Sequence, residues 1–254
     1  MWWLAHGEDD VPDGVEWLSA GERARLGSLR FAKRHTEFRT RRWTAKQTLA
    51  RMLGLDTDPA ALATIEIGHE SGGAPFVCIE RQRREDLEVS LSDRAGWAVC
   101  LARQATGGRE PAGLGIDLEI VEPRSEAFVD DFFTSGEREW VRRLAPGDTR
   151  HAAANLIWSA KEAALKVLKR GLRADTRTVE VHVDQRARAD GWAVLEVQAA
   201  GRGLLPGWWR RDGVFVLTLA AAHPFEPPRQ LPGGSALADA GPRESWRARP
   251  LVGG

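Results

Sequence analysis

The chain of 254 residues balances 36 basic against 36 acidic side chains and is 43% apolar. That content supports one sizeable core or two small ones and excludes a disordered or fibrous chain. Zero net charge leaves no overall field towards nucleic acid or an anionic membrane. Two cysteines, Cys78 and Cys100, are too few for a disulfide framework or a CxxC zinc site and suit a reducing compartment, so the expected location is the cytoplasm.

The opening MWWLAHGEDDVP loses its apolar character at His6 and an acidic run, and reads as neither signal peptide nor membrane anchor. A capping box follows at Ser19-x-x-Glu22, where hydroxyl and carboxylate reciprocally satisfy free amides at a helix start. The next, longer helix carries Arg39, Arg42 and Lys46 at i, i+3, i+7, opposite Phe38, Ala45, Leu49 and Met52. Those three cations read either as an anion-binding side or as solubilising charge. Strands are predicted at ATIEIGHE (63–70) and in VSLSDRAGWAVCLA (89–102).

The polar stretch RQATGGREPAG places a join near residue 112. Beyond it, LGIDLEIV (114–121) alternates Ile116, Leu118 and Ile120 with Asp117 and Glu119, so a strand would project both carboxylates from one face. Such a pair accepts a hard divalent cation, although D-x-E alone also describes a half-exposed acidic strand. A second capping box, Thr134-x-x-Glu137, precedes a helix predicted from an N-cap at Asp148 to Gly171, with Ile157, Ala160, Ala164, Val167 and Leu168 as its apolar stripe. Glu162 and Lys166 lie at i,i+4 on another face, with Lys161 and Lys169 nearby. A solvated helix would show the same charges. Against that, three of only five lysines fall within nine residues of a chain with 31 arginines, and a compact ammonium suits a pyrophosphate oxygen. Strands at TVEVHV (178–183) and GVFVLTLAA follow, and residues 229–254 read as a flexible Pro/Gly/Arg-rich tail.

The chain repeats itself. Displaced by 115 residues, Ser19 to Leu53 falls on Thr134 to Leu168 without a gap, with eight identities that include Glu22/Glu137, Trp43/Trp158 and Lys46/Lys161. The order helix, helix, strand, strand occurs twice. The expected fold is α+β, with two similar halves, 1–112 and 113–228, related by a pseudo-twofold and a ligand cleft between them. Gln47 stands opposite Glu162, so only one half can supply that carboxylate.

G-I-D-L-E at 115–119, followed by W-S-A-K-E-A-A-L-K at 158–166, resembles the paired signature of the 4′-phosphopantetheinyl transferases, in the larger single-chain type that duplicates the fold. The first half agrees through WLSAGERARLGSLRF, RRWTAK, the Gly73-Ala74-Pro75 turn and VSLSDRAGWAVCLA. The resemblance implies transfer of the phosphopantetheine arm of coenzyme A to a serine of an apo carrier protein, releasing adenosine 3′,5′-bisphosphate. It implies Asp117, Glu119 and Glu162 as Mg²⁺ (or Mn²⁺) ligands, Glu162 also as base, and Lys166 on the pyrophosphate. Coenzyme A is expected to meet Arg39, Arg42, Lys46, Ser92, Lys161 and Lys166. Where relatives read S-H, this chain has Ser92-Asp93, and where many read G-K-P it has Ala74. Phe128, Phe132 and Phe133 with Arg138, Arg142 and Arg143 are candidates to receive the carrier. A monomer is expected, with no nucleic-acid or membrane partner. The alternative reading is a regulator of the same fold that binds coenzyme A or a carrier without turnover.

Overall fold

The computed structural model describes residues 1–105, 113–169, 175–184 and 186–248. The chain divides into two compact units: Met1–Pro111 with Pro228–Ala236 and Gly241–Gly254, and Ala112–Pro227 with Leu237–Ala240. The expected join and the helix stop at Gly171 lie outside the described residues.

Unit 1 runs β1 (Trp2–Gly7), α1 (Ala20–Gly27), α2 (Ala32–Leu53), α3 (Pro59–Thr64), β2 (Ile65–His69), β3 (Pro75–Ile79), β4 (Gln82–Arg83), β5 (Leu87–Arg94) and β6 (Trp97–Gln104). Unit 2 runs β7 (Leu114–Ile120), α4 (Glu126–Phe132), α5 (Ser135–Arg143), α6 (Asp148–Val167), β8 (Val179–Val183), β9 (Ala193–Ala199), β10 (Gly203–Asp212) and β11 (Phe215–Ala221). Strand β12 (Arg229–Gln230) pairs parallel to β1.

The unit 2 sheet has the order β7-β11-β10-β9-β8. Unit 1 lays out its strands in the same sense, β1-β6-β5 and then β3-β2, but the ladder is divided between β5 and β3 into two sheets. In each unit the long helix packs on the sheet. Trp17, Leu18, Phe38, Leu49 and Ile65 centre the first core, and Phe133, Ile157, Ala160, Leu195 and Val197 the second. Both capping boxes form as predicted, on Ser19/Glu22 and Thr134/Glu137. Helix α6 starts one residue earlier than expected: Gly147 is the N-cap, and Asp148 is the first helical residue, held by Arg211 at 2.6 and 2.8 Å.

The expectation of a flexible tail is corrected over 229–248. Arg243 donates its amide to the Ala95 carbonyl at 2.7 Å, Ser245 donates its hydroxyl to the Glu8 carboxylate at 2.8 Å, and the Trp97 indole donates to the Gly241 carbonyl at 2.9 Å. Leu231 and Leu237 are buried. A Pro/Gly-rich composition lacks helical or strand periodicity, yet its backbone groups find partners on strands already formed.

Candidate active site

The repeat explains the most deeply buried charges. Lys46 of α2 is 0% exposed and donates to the carbonyls of Trp17 and Leu62, each at 3.0 Å, with the Glu22 carboxylate at 2.6 Å. Lys161 of α6 is 0% exposed and donates to the carbonyls of Thr176 (2.9 Å) and Val179 (2.6 Å), with Glu137 at 2.9 Å. The two glutamates complete the match, since Glu22 accepts from the Ile67 amide and Glu137 from the Val181 amide. Burial pulls both ammonium groups below their ordinary value, and the paired carboxylates oppose it. Each ammonium has three donors and uses all three internally. The expectation that Lys46 and Lys161 bind coenzyme A is therefore corrected: they tie the long helix to the capping box and the following strand.

In unit 2 the non-repeated acidic residues converge. Ile116 and Leu118 are buried on the other face of β7, and Asp117 (5% exposed) and Glu119 (8%) face α6, where Lys166 and Trp158 donate to them. Gly115 makes that approach possible, because a Cβ there would lie 1.9 Å from the Ala163 carbonyl oxygen. The glycine of the strand motif thus seats the strand on the helix motif. Lys166 Nζ donates to the Ile116 carbonyl (2.7 Å) and Asp117 Oδ1 (2.9 Å). Glu162 stands one turn before Lys166, and its Oε1 is buried without a hydrogen-bond partner. Its carboxyl is pushed up to about 7 by burial, with Asp117 and Glu119 adding to the rise and Lys166 opposing it. Three carboxylates therefore act on one field at Glu162.

Two further residues hold Glu119. The Trp158 indole donates to its Oε1 at 3.1 Å, and Arg124 donates to its Oε2 at 3.0 Å. Arg124 is fixed in turn by Asn155 Oδ1 at 2.8 Å. Arg124 follows β7 in a loop with no motif of its own, so nothing in the sequence singled it out. Among the described residues no group of three His, Cys, Asp or Glu side chains has a metal-holding arrangement, since Asp117 faces Lys166 and Glu119 faces Arg124. The donor set is nonetheless all oxygen, and the crowded charge at the partnerless Glu162 Oε1 fits a hard divalent cation.

The remaining expected contacts are distributed through unit 1. Arg39 donates to the carbonyls of Pro12 and Gly14 and so pins that loop. Arg42 is buried, 3.3 Å from Glu22 and stacked 4.6 Å over Phe38. The expectation that Arg39, Arg42 and Lys46 form one open basic side is corrected, because buried α2 positions turn two of them inward. Ser92 lies half-buried on β5. Asp93, which departs from the family pattern, is ion-paired with Arg41, a residue the spacing argument passed over. In unit 2, Phe133 is core, whereas Phe128 and Phe132 are half-buried and pack on Trp158 at 5.0 and 5.2 Å. Arg138 and Arg142 pair with Asp130, and Arg143 with Glu139.

Residues 113–194 match the family model described as the 4′-phosphopantetheinyl transferase superfamily. That stretch is similar to the superfamily. The match spans the Gly115 strand, the capping box and the Glu162 helix, the stretch in which the carboxylates meet. A search of the solved structures finds Thermotoga maritima holo-[acyl-carrier-protein] synthase (AcpS), at 22% identity and a TM-score of 0.34. That alignment covers 43% of this chain and 61% of the synthase chain, less than two thirds of its length. A search of curated proteins found no match. Among the described residues no helix is long and apolar enough to cross a membrane.

Proposed function

We propose that this protein transfers the 4′-phosphopantetheine arm of coenzyme A to a serine of an apo acyl or peptidyl carrier protein. The observation that carries the reading is the buried Glu162 carboxyl, which lies in the field of Asp117 and Glu119, with Lys166 bonded to Asp117, inside the stretch that matches the superfamily. The proposal includes the larger single-chain form, in which the two units are copies of one α+β fold. Its support is the 115-residue repeat and the twice-formed Glu–Lys pair.

Coenzyme A is a polyanion and a serine hydroxyl a weak nucleophile, so charge neutralisation and a proton acceptor are the two needs. Magnesium held by Asp117, Glu119 and Glu162 would neutralise pyrophosphate oxygens. Lys166 is 29% exposed and can turn an ammonium proton to a phosphate oxygen. The serine Oγ forms a bond to the pantetheine-side phosphorus, the bond from that phosphorus to the bridging oxygen breaks, and adenosine 3′,5′-bisphosphate leaves with the electron pair. Glu162 takes the serine proton, directly or through a water.

The test is intact mass of an apo carrier incubated with the protein, coenzyme A and Mg²⁺. Gain of one arm is expected, and Glu162→Gln should reduce the rate by about 10³-fold or more. A stable complex with no mass gain would replace this reading with a binding regulator of the same fold, and a Glu162→Gln variant with most of the wild-type rate would remove Glu162 from the chemistry.

A further inference from the structure

Arg124 lies between the two motifs, in the loop from β7 to α4, and its guanidinium is held on several sides. Nη2 donates to Glu119 Oε2 at 3.0 Å and Nε to Asn155 Oδ1 at 2.8 Å. Glu122 lies 3.5 Å from Nη1, and the Phe128 ring lies against the guanidinium plane at 4.8 Å. Asn155 is fully buried, and its Nδ2 donates to the carbonyls of Glu122 (2.7 Å) and His151 (2.8 Å). Both Nδ2 partners only accept, so the amide cannot be turned over and its oxygen is committed to Arg124. A planar fork whose arms end on two different side chains fixes direction as well as distance.

The other oxygen of Glu119 is held too. The Trp158 indole donates to Oε1 at 3.1 Å, and Phe128, which carries Arg124 on its face, meets that indole in a T-shaped contact at 5.0 Å. Phe128 is placed by the cap of α4, where the Ser125 hydroxyl accepts from the Phe128 amide at 3.1 Å, one residue beyond Arg124. One ring thus backs both donors. A carboxylate oxygen has two lone pairs, so one donor on each oxygen orients Glu119 without closing it to a cation.

The repeat shows that the fold does not require this arrangement. At the 115-residue offset, Asn155 corresponds to Thr40, whose hydroxyl bonds back to the Thr36 carbonyl of its own helix at 2.9 Å. Trp158 corresponds to Trp43, which meets the rings of His6 and Trp17. Unit 1 keeps the long helix and its lysine tie without an asparagine at that place.

We propose that Arg124 is the positioning residue for Glu119: braced by Asn155 and Phe128, it sets the direction in which the Glu119 carboxylate meets a divalent cation shared with Asp117 and Glu162. The inference rests on the metal-dependent transfer proposed above. Arg124 contributes geometry more than field, because the carboxylates of Glu119 and Glu122 already balance its charge. Partners of this kind around a metal ligand are worth about 10- to 100-fold in metal affinity.

Mn²⁺, which takes oxygen ligands as Mg²⁺ does and is read by electron paramagnetic resonance, is titrated into the full chain without coenzyme A or carrier. The same titration is run on Arg124→Ala, Arg124→Lys and Glu162→Gln, with folding checked by circular dichroism. Arg124→Ala should weaken Mn²⁺ binding about tenfold or more. Arg124→Lys keeps the charge but cannot reach Glu119 and Asn155 at once, so it should recover only part of that loss. If Glu162→Gln loses Mn²⁺ while folded Arg124→Ala binds as tightly as wild type or more tightly, the metal reading stands and the role of Arg124 is overturned. Wild-type affinity in Arg124→Lys would overturn it as well, since charge alone would then suffice. A wild-type chain that binds no Mn²⁺ would bring down the metal site and this role together.

Discussion

In unit 1 a buried lysine, a capping glutamate and two carbonyls tie the long helix to its neighbours, and in unit 2 the same four partners recur around Lys161. Around that shared frame the units diverge. Unit 2 sets Asp117, Glu119 and Glu162 against one another, whereas in unit 1 Gln47 stands at the place of Glu162 and is bonded to Arg51. What the two units share around these lysines is structural, and what they do not share is chemical. Lys161 shows the force of that distinction: it sits inside the W-S-A-K-E motif beside Glu162, yet its identity with Lys46 marks it as part of the frame.

The comparison breaks most readily at the frame. Lys161→Met and Lys46→Met each leave a buried glutamate without its cation, and each should cost on the order of 3–5 kcal/mol in urea unfolding. A loss below about 1 kcal/mol in either variant would mean that the pair is not structural in that unit. Gly115→Ala is expected to cost on the order of 1–3 kcal/mol, because its Cβ meets the Ala163 carbonyl oxygen and must push β7 off α6. Wild-type stability in that variant would show that the strand does not need the close approach.

The smallest effect is a pH dependence confined to unit 2. Glu162 is raised from 4.5 to about 7, so between those values the folded chain keeps a proton that the unfolded chain releases. Stability of the metal-free protein should therefore fall as pH rises through that window and level off above it. Relative to Glu162→Gln, the decline should be on the order of 1–2 kcal/mol, read by urea unfolding at pH 5 and pH 8. Parallel curves for the two proteins would show that the carboxylates do not crowd one another.

Much of the candidate site was legible because it is written locally. Alternation placed Asp117 and Glu119 on one strand face, and i,i+4 spacing placed Glu162 beside Lys166. Other features were hidden because their partners come from distant segments. Arg124 reaches Glu119 and Asn155, 31 residues away in the chain, and Arg41 meets Asp93, 52 residues away. The tail misled for the same reason: its backbone bonds run to β1 and to the turn at Ala95, more than 140 residues earlier.

Capping boxes, apolar periodicity and the 115-residue repeat are set by neighbours along the chain, so the sequence alone determined the capped helix starts, the two long helices and several of the strands. Which charged groups face solvent and which are consumed inside was decided only by tertiary structure. A lysine at the same spacing is a ligand-binding group if its ammonium emerges and a structural tie if three acceptors close around it, and that choice depends on segments brought together only by packing.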